Sequence, residues 1–171
     1  MIYYLDNLPT DGTKYEATDT LITGGGNASN ASIAISRLGG SVTLLTTVGK
    51  DTFGDLILNE LKAEKVRTHA IFKKLNLKTS YSSIIIDKKG DRQIINYRPT
   101  DLDFSTNSFI KERNFDAYLT DGRLPKATLL TLKEAKKRKK PGILDGESPV
   151  CLKAIKLASH IAFSRQGLSD F

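Results

Sequence analysis

Hydrophobic and polar positions change period along this chain, which indicates that helices and strands alternate. Over 28–38, small and apolar residues recur at helical spacing and predict one buried helix face. The positions on that face are Ala28, Ala31, Ile35 and Leu38. Residues 42–48 are typical of a buried strand. Phe53, Ile57 and Leu61 repeat every four residues and predict a second amphipathic helix that extends to about residue 65.

The second half of the chain continues the alternation. The predicted strands are 117–120, 143–145 and 160–163, and the predicted helices are 125–139 and 150–157. Because strand-like and helix-like segments alternate, we predict an α/β fold with a mostly parallel sheet flanked by helices.

The middle of the chain departs from this pattern. The β-rich runs 81–87 and 92–97 are separated by a short polar turn in which Gly90 supplies the bend, so they predict a hairpin. Together with a strand-like stretch at 15–23, the hairpin forms a small β-layer apart from the main sheet. An ordinary hairpin at a sheet edge is the alternative.

Length and composition indicate a globular protein of one domain. The 171 residues are 39% hydrophobic, and no apolar run approaches the roughly 18–20 residues that a membrane-spanning helix needs. The first residues carry neither a basic leader nor a long apolar core, and Cys151 is the single cysteine. We therefore expect a cytoplasmic protein without a membrane partner.

The formal net charge of +7 raises the question of nucleic-acid binding. Much of the excess lies in Lys133 and in residues 136–140, just before Pro141. Cations at the end of a helix interact favourably with its dipole. Because neither a nucleic-acid motif nor interleaved aromatic residues accompany the run, a solvated helix end is the favoured interpretation and nucleic-acid binding the alternative.

The most informative segment is the glycine run Gly24, Gly25 and Gly26, between the strand-like stretch 15–23 and the helix 28–38. A strand that turns on glycines into a helix leaves backbone N–H groups free at the helix N-terminus. Asn27, Ser29 and Asn30 are then the polar groups that a sugar would meet.

The spacing of this segment carries a family resemblance. G-G-N-A-S-N-A-S begins at Gly25, Gly39 and Gly49 follow, and Gly49, Asp51 and Gly54 form G-x-D-x-x-G. Over its whole length the chain resembles the ribokinase-like (PfkB-type) carbohydrate kinases, and residues 95–97 and 120–123 are similar to the sulfofructose kinase branch.

The resemblance implies one incomplete ribokinase-like domain over residues 1–171, truncated at both ends. Its lid strands would cover about 13–23 and 79–98, and its α/β core about 24–72 and 105–171. In such kinases the lid covers the sugar and often forms a dimer contact, so a homodimer through the lid is expected.

The resemblance also assigns site residues by position. The implied sugar-binding residues are Gly25, Gly26, Asn27, Asn30, Asn96 and Arg123. An arginine at the carboxyl end of a sheet strand suits an anionic or hydroxylated substrate. The alternatives are a surface ion pair for Arg123, a turn-capping amide for Asn96 and, for Asp51, a helix N-cap, which we favour.

Three departures from the family pattern concern catalysis. The family's sugar-binding Asp would precede Met1, its D-T-x-G-A-G-D segment does not occur in this sequence, and Arg165 stands where an acidic residue is usual. ATP and Mg²⁺ serve the intact family member, but we expect neither to bind this chain well. The chain is therefore predicted to be an inactive part of an ATP-dependent sugar kinase, or a non-catalytic module for sugar binding or dimerisation.

Overall fold

The computed structural model describes residues 1–100, 102, 114–147 and 151–169. In this part of the chain, strands and helices alternate except at an initial pair of strands and at a run of successive strands in the middle. Their order is β1 (Ile2–Tyr4), β2 (Asp19–Leu21), α1 (Asn27–Arg37), β3 (Thr46–Gly49), α2 (Thr52–Ala63), β4 (Ile71–Lys74), β5 (Tyr81–Ile86), β6 (Arg92–Tyr97), β7 (Tyr118–Thr120), α3 (Pro125–Lys137), β8 (Gly142–Asp145), α4 (Leu152–Leu157), β9 (His160–Ala162) and α5 (Arg165–Ser169).

The strands that alternate with helices pair in parallel, so the predicted α/β fold is confirmed. They form two sheets rather than one among the described residues, namely β3–β4 and β7–β8–β9. Strand β8 is central in the three-stranded sheet, and its Leu144 is fully buried against Leu132 of α3 and Ala154 of α4. The first residue of the predicted helix 150–157, Val150, lies outside the described residues.

Two predicted strands are shorter in the structure than in the sequence pattern. The stretch 15–23 contributes only Asp19–Leu21, because its partner β1 is itself three residues long and pairs with no more than that. In the stretch 42–48, regular pairing begins at Thr46, and Thr43 makes an isolated bridge to Arg67.

A separate four-stranded sheet has the order β2-β1-β5-β6 and contains the predicted hairpin. Strands β5 and β6 pair antiparallel in register from Tyr81 opposite Tyr97 to Ile86 opposite Arg92. Strand β1, which is absent from the predicted lid, lies between β2 and β5. It pairs in parallel with β5, with Ile2 opposite Ile84, and contacts between residues so far apart in the chain leave no local signal in the sequence.

The apolar face of α1 differs from its predicted composition. Leu38 is 88% exposed rather than buried, because α1 ends at Arg37 and Leu38 is its C-cap. Ser32 is buried instead, and its hydroxyl donates to the Ala28 carbonyl at 2.8 Å. Ala28 and Ile33 pack on a core cluster that is formed by Leu44, Leu61 and Val66.

Asp51 is the N-cap of α2, as predicted, and it also forms a clamp between two segments. Its Oδ1 accepts from the Gly54 N–H at 2.8 Å and from the Thr79 hydroxyl at 2.6 Å, and its Oδ2 accepts from the Thr79 N–H at 2.8 Å. The Thr79 oxygen in turn accepts from the Gly49 N–H at 2.9 Å. The G-x-D-x-x-G segment therefore ties the start of α2 to the segment that leads into β5.

Glycine is required at position 49 by this close packing. A Cβ there would lie 2.2 Å from the Leu77 carbonyl oxygen and 2.8 Å from the Thr79 nitrogen. Nearby, the rings of Phe53 and Tyr81 stack with centroids 5.2 Å apart. The start of helix α2 thus makes polar contacts with the segment before β5 and an aromatic contact with β5 itself.

The basic run lies at the C-terminal end of α3, as expected. Arg138 donates to Glu134 at 2.6 Å, one turn back, and Lys140 lies 3.5 Å from Asp116. These acidic partners and the helix dipole both offset the local positive charge. None of the helices in the described ranges combines the length and the apolar character that crossing a bilayer requires.

Candidate functional site

The glycine run forms an open entry to helix α1. Gly26 is the N-cap of α1 and has φ of 93°, a left-handed conformation that glycine adopts without strain. At Gly25 and Gly26, a Cβ atom would meet no described heavy atom within 4 Å. The first turn closes through the Asn30 N–H, which donates to the Gly26 carbonyl at 2.9 Å. The loop therefore presents exposed backbone at a helix N-terminus.

Asn27, the first residue of α1, connects this loop to the three-stranded parallel sheet. Its side-chain nitrogen donates to Asp145 Oδ2 at 2.6 Å and to Glu147 Oε2 at 3.0 Å. Asp145 is the last residue of β8, and Glu147 lies two residues beyond it. The carboxyl ends of parallel strands are where open α/β sheets bind ligands.

Arg123 joins the same group of side chains. It follows the end of β7, at the same edge of the sheet as Asp145, and its guanidinium forms an ion pair with Glu147. Its own N–H donates to Asp121 Oδ1 at 3.0 Å, so the turn after β7 is also held by a side chain. Arg123 is thus ion-paired, and the pair lies within the candidate site. We call Asn27, Arg123, Asp145 and Glu147 the Asn27 cluster.

The Asn27 cluster combines hydrogen-bond donors and acceptors. The guanidinium and the amide nitrogen donate, and the two carboxylates accept. A ligand rich in hydroxyl groups can use both kinds of group, because each hydroxyl donates one hydrogen bond and accepts others. With two carboxylates and one guanidinium, the cluster has a formal charge of −1, which suits a neutral polyol better than an anion.

Asn30, three residues after Asn27 in α1, has different surroundings. It borders an open hollow of about 370 Å³. The other residues around the hollow are Thr23, Gly24, Ile33, Ala34, Arg37 and Glu60. Asn30 and Asn27 share the first turn of α1, but their side chains have different neighbours.

Asn96 lies on β6 in the four-stranded sheet, where its amide donates to the Ser82 hydroxyl of β5 at 2.8 Å. Neither Asn96 nor its partner Ser82 belongs to the Asn27 cluster. A role for Asn96 in sugar binding stays a prediction, as it does for the other five residues.

Asp145 and Glu147 are the candidate site residues that sequence reasoning missed. The available signal was their position, since 143–145 is a predicted strand and its carboxyl end is where a ligand-binding side chain is expected. Their pairing with Asn27 could not be foreseen, because Asn27 and Asp145 are 118 positions apart in the chain.

Comparison with known proteins identifies similar sequences among sugar kinases. The chain matches the pfkB family carbohydrate kinases over residues 1–171. It is 29% identical to ribokinase from Dictyostelium discoideum over 113 residues, which are 66% of this chain and 34% of that protein. It is 27% identical to ribokinase from Bacillus subtilis (strain 168) over 128 residues, which are 72% of this chain and 43% of that protein.

Solved structures share the fold. A crystal structure from Agrobacterium tumefaciens, provisionally assigned as a ribokinase, is 30% identical, with a TM-score of 0.89 over 99% of this chain and 57% of that chain. The Arabidopsis thaliana ribokinase complexed with ribose and ATP is 19% identical, with a TM-score of 0.83 over 98% of this chain and 57% of that chain. The chain thus spans little more than half of these structures and less than half of the two curated ribokinases.

Proposed function

Because the chain belongs to the pfkB family of carbohydrate kinases, we propose that it is the sugar-binding part of an enzyme that transfers phosphate from ATP to a sugar hydroxyl. The observation that carries this proposal is the Asn27 cluster, which lies beside the glycine loop at the carboxyl end of a parallel sheet. Ribokinases and fructokinases among its relatives support a monosaccharide as the substrate class.

The proposed binding mode uses groups that are already oriented. The exposed backbone of Gly25 and Gly26 and the amide of Asn27 would donate to sugar oxygens, while Asp145 and Glu147 would accept from sugar hydroxyls. The bound sugar would replace part of the hydrogen bonding that Asn27 now makes with the carboxylates. Because one set of bonds is exchanged for another, we expect weak binding, with Kd of about 1 mM or above.

The described residues do not fit Mg²⁺ and the phosphates of ATP. Mg²⁺ requires oxygen ligands, whereas the charged side chain after β9 is the exposed Arg165. In the described part of the chain, no group of three or more His, Cys, Asp or Glu side chains is arranged to hold a metal ion. We therefore propose that the 171-residue chain alone does not transfer phosphate.

A binding titration and an ADP-release assay test the two parts of this proposal. Calorimetry with D-ribose and D-fructose should detect binding to the wild-type chain, which Asn27→Ala should weaken about tenfold or more. Ser159→Ala, at the opposite end of the sheet, is the control. ADP release should be independent of sugar. Absence of binding would contradict the sugar site, whereas sugar-dependent ADP release would contradict only the proposed inactivity.

The same titration tests whether the similarity to the sulfofructose kinase branch extends to the substrate. A sulfonated ketose would bind more tightly than D-fructose if its sulfonate displaced Glu147 from Arg123, since an arginine fork matches such a group. The negative formal charge of the cluster favours the neutral sugar. We therefore expect D-fructose to bind at least as tightly as the sulfonated ketose.

A module for self-association through the four-stranded sheet is the second candidate function. Leu21, Ile2, Ile84 and Ile94 are register partners and therefore form one apolar row across all four strands. Ile94 is 54% exposed and Leu21 47% exposed, so the row is open at both ends. Exposed apolar surface of this kind favours a partner, and we propose a second copy of the chain.

Sedimentation velocity tests this association. We expect the wild-type chain to sediment as a dimer and Ile94→Asp as a monomer, because a charge in the row cannot be desolvated without a partner. Gln93→Asp, on the opposite face of β6, is the matched control and should remain dimeric. A monomeric wild type, or equal dissociation of both variants, would contradict association through this row.

A further inference from the structure

The connection from β2 to α1 is held by a carboxylate from α2. Glu60 Oε2 accepts from the Gly24 N–H at 2.6 Å, and Glu60 Oε1 accepts from the Thr23 hydroxyl at 3.2 Å. A Cβ at Gly24 would lie 2.8 Å from Glu60 Oε2. The carboxylate therefore packs directly on the backbone of the glycine run, and a larger residue at position 24 would displace it.

The next two residues of the loop, Gly25 and Gly26, are not restrained by packing against the described side chains. The Cβ positions of Gly25 and Gly26 have no described heavy atom within 4 Å. On the far side of these two glycines, the amide of Asn27 is tied to Asp145 and Glu147. Residues 24–27 are thus anchored at both ends by carboxylates, with two unpacked glycines between the anchors.

We propose that Glu60 is a positioning residue for the glycine loop, and that it sets where Gly25, Gly26 and Asn27 stand relative to the sugar. The inference rests on the proposed function only in its second part, the effect on sugar affinity. Glu60 hydrogen-bonds to Thr23 and Gly24, which directly precede Gly25 and Gly26 in the loop. Fixing the loop lowers the entropy that binding must remove.

Two substitutions separate this role from a general effect of charge. Glu60→Ala removes both hydrogen bonds. Glu60→Gln keeps an oxygen for the Gly24 N–H, and its amide nitrogen can donate to the Thr23 hydroxyl oxygen. Glu64→Gln is the matched control, because Glu64 lies one turn further along the chain and pairs with Arg37 rather than with the loop.

Amide exchange of Asn30, followed by NMR, tests the positioning without any ligand. The Asn30 N–H donates to Gly26, so its protection reports whether the loop keeps the first turn of α1 closed. In Glu60→Ala we expect Asn30 to exchange about tenfold faster, with Glu60→Gln and Glu64→Gln close to wild type. If only the Gly24 amide exchanged faster, the carboxylate would act locally and the proposal would be overturned.

Titration with D-ribose tests the consequence for binding. Glu60→Ala should bind D-ribose about tenfold more weakly than wild type, and Glu60→Gln should restore most of the affinity. Equal affinity of Glu60→Ala and wild type would overturn the positioning role and leave the sugar site intact. If wild type itself failed to bind D-ribose, the sugar site would be contradicted for that sugar, and the exchange of Asn30 would still decide the role of Glu60.

Discussion

Asp51→Ala is expected to destabilise the chain by about 2–4 kcal/mol, because it removes a helix cap and leaves buried donors without an acceptor. Thr79 is only 3% exposed, so water cannot readily replace the carboxylate at its hydroxyl and N–H. For a domain of this size, the loss corresponds to a melting temperature lower by about 5–15 °C. Thermal and urea unfolding followed by circular dichroism would measure it.

Asp55→Ala is the matched control for this prediction. Asp55 is in the first turn of the same helix, but its side chain is 62% exposed and its contact is an ion pair with Lys73. Exposed ion pairs contribute about 0–1 kcal/mol. Equal losses of stability in Asp51→Ala and Asp55→Ala would show that the clamp adds nothing to an ordinary acidic first turn.

The clamp also predicts a dependence of stability on pH. Burial raises the pKa of Asp51, but the hydrogen bonds from Thr79 and from the Gly54 N–H outweigh it and hold the pKa below its usual value. A carboxyl group whose pKa is lowered by folding contributes stability above its unfolded pKa, which is about 3.9, and loses it as the pH falls. The stability difference between wild type and Asp51→Asn should therefore be constant near neutral pH and shrink below about pH 4.

Asn27→Asp is expected to abolish sugar binding and to destabilise the chain by about 1–3 kcal/mol, since it loses two hydrogen bonds to charged groups. A negative charge at the start of a helix normally stabilises by about 0.3–1 kcal/mol. Here the new carboxylate would face the carboxylates of Asp145 and Glu147, of which Glu147 is ion-paired with Arg123. Repulsion and the lost hydrogen bonds should therefore outweigh the helix dipole.

Asn27→Ala is the control that separates these two causes. It removes the same hydrogen bonds from Asp145 and Glu147 without adding a charge. Repulsion between partly exposed charges is screened by salt, so 1 M NaCl should recover part of the stability of Asn27→Asp and little of that of Asn27→Ala. If Asn27→Asp were as stable as wild type at low salt, the amide bridge to the sheet would contribute no net stability.

The sequence by itself determined those features that depend on neighbours in the chain. Helices α1 and α2 follow from apolar residues at helical spacing. The hairpin β5–β6 follows from two β-rich runs around Gly90, whose φ is 87°. The cap at Asp51 and the place of Arg123 after β7 follow from residue type and position.

The tertiary structure alone decided which of these elements meet. It placed β1 between β2 and β5, kept Leu38 outside the core and, among the described residues, put β3–β4 and β7–β8–β9 in separate sheets. Asp145 and Glu147 entered the site through Asn27, a contact across more than a hundred residues. Periodicity and turn chemistry act over a few residues, whereas such contacts depend on how the whole chain folds back, which no short segment encodes.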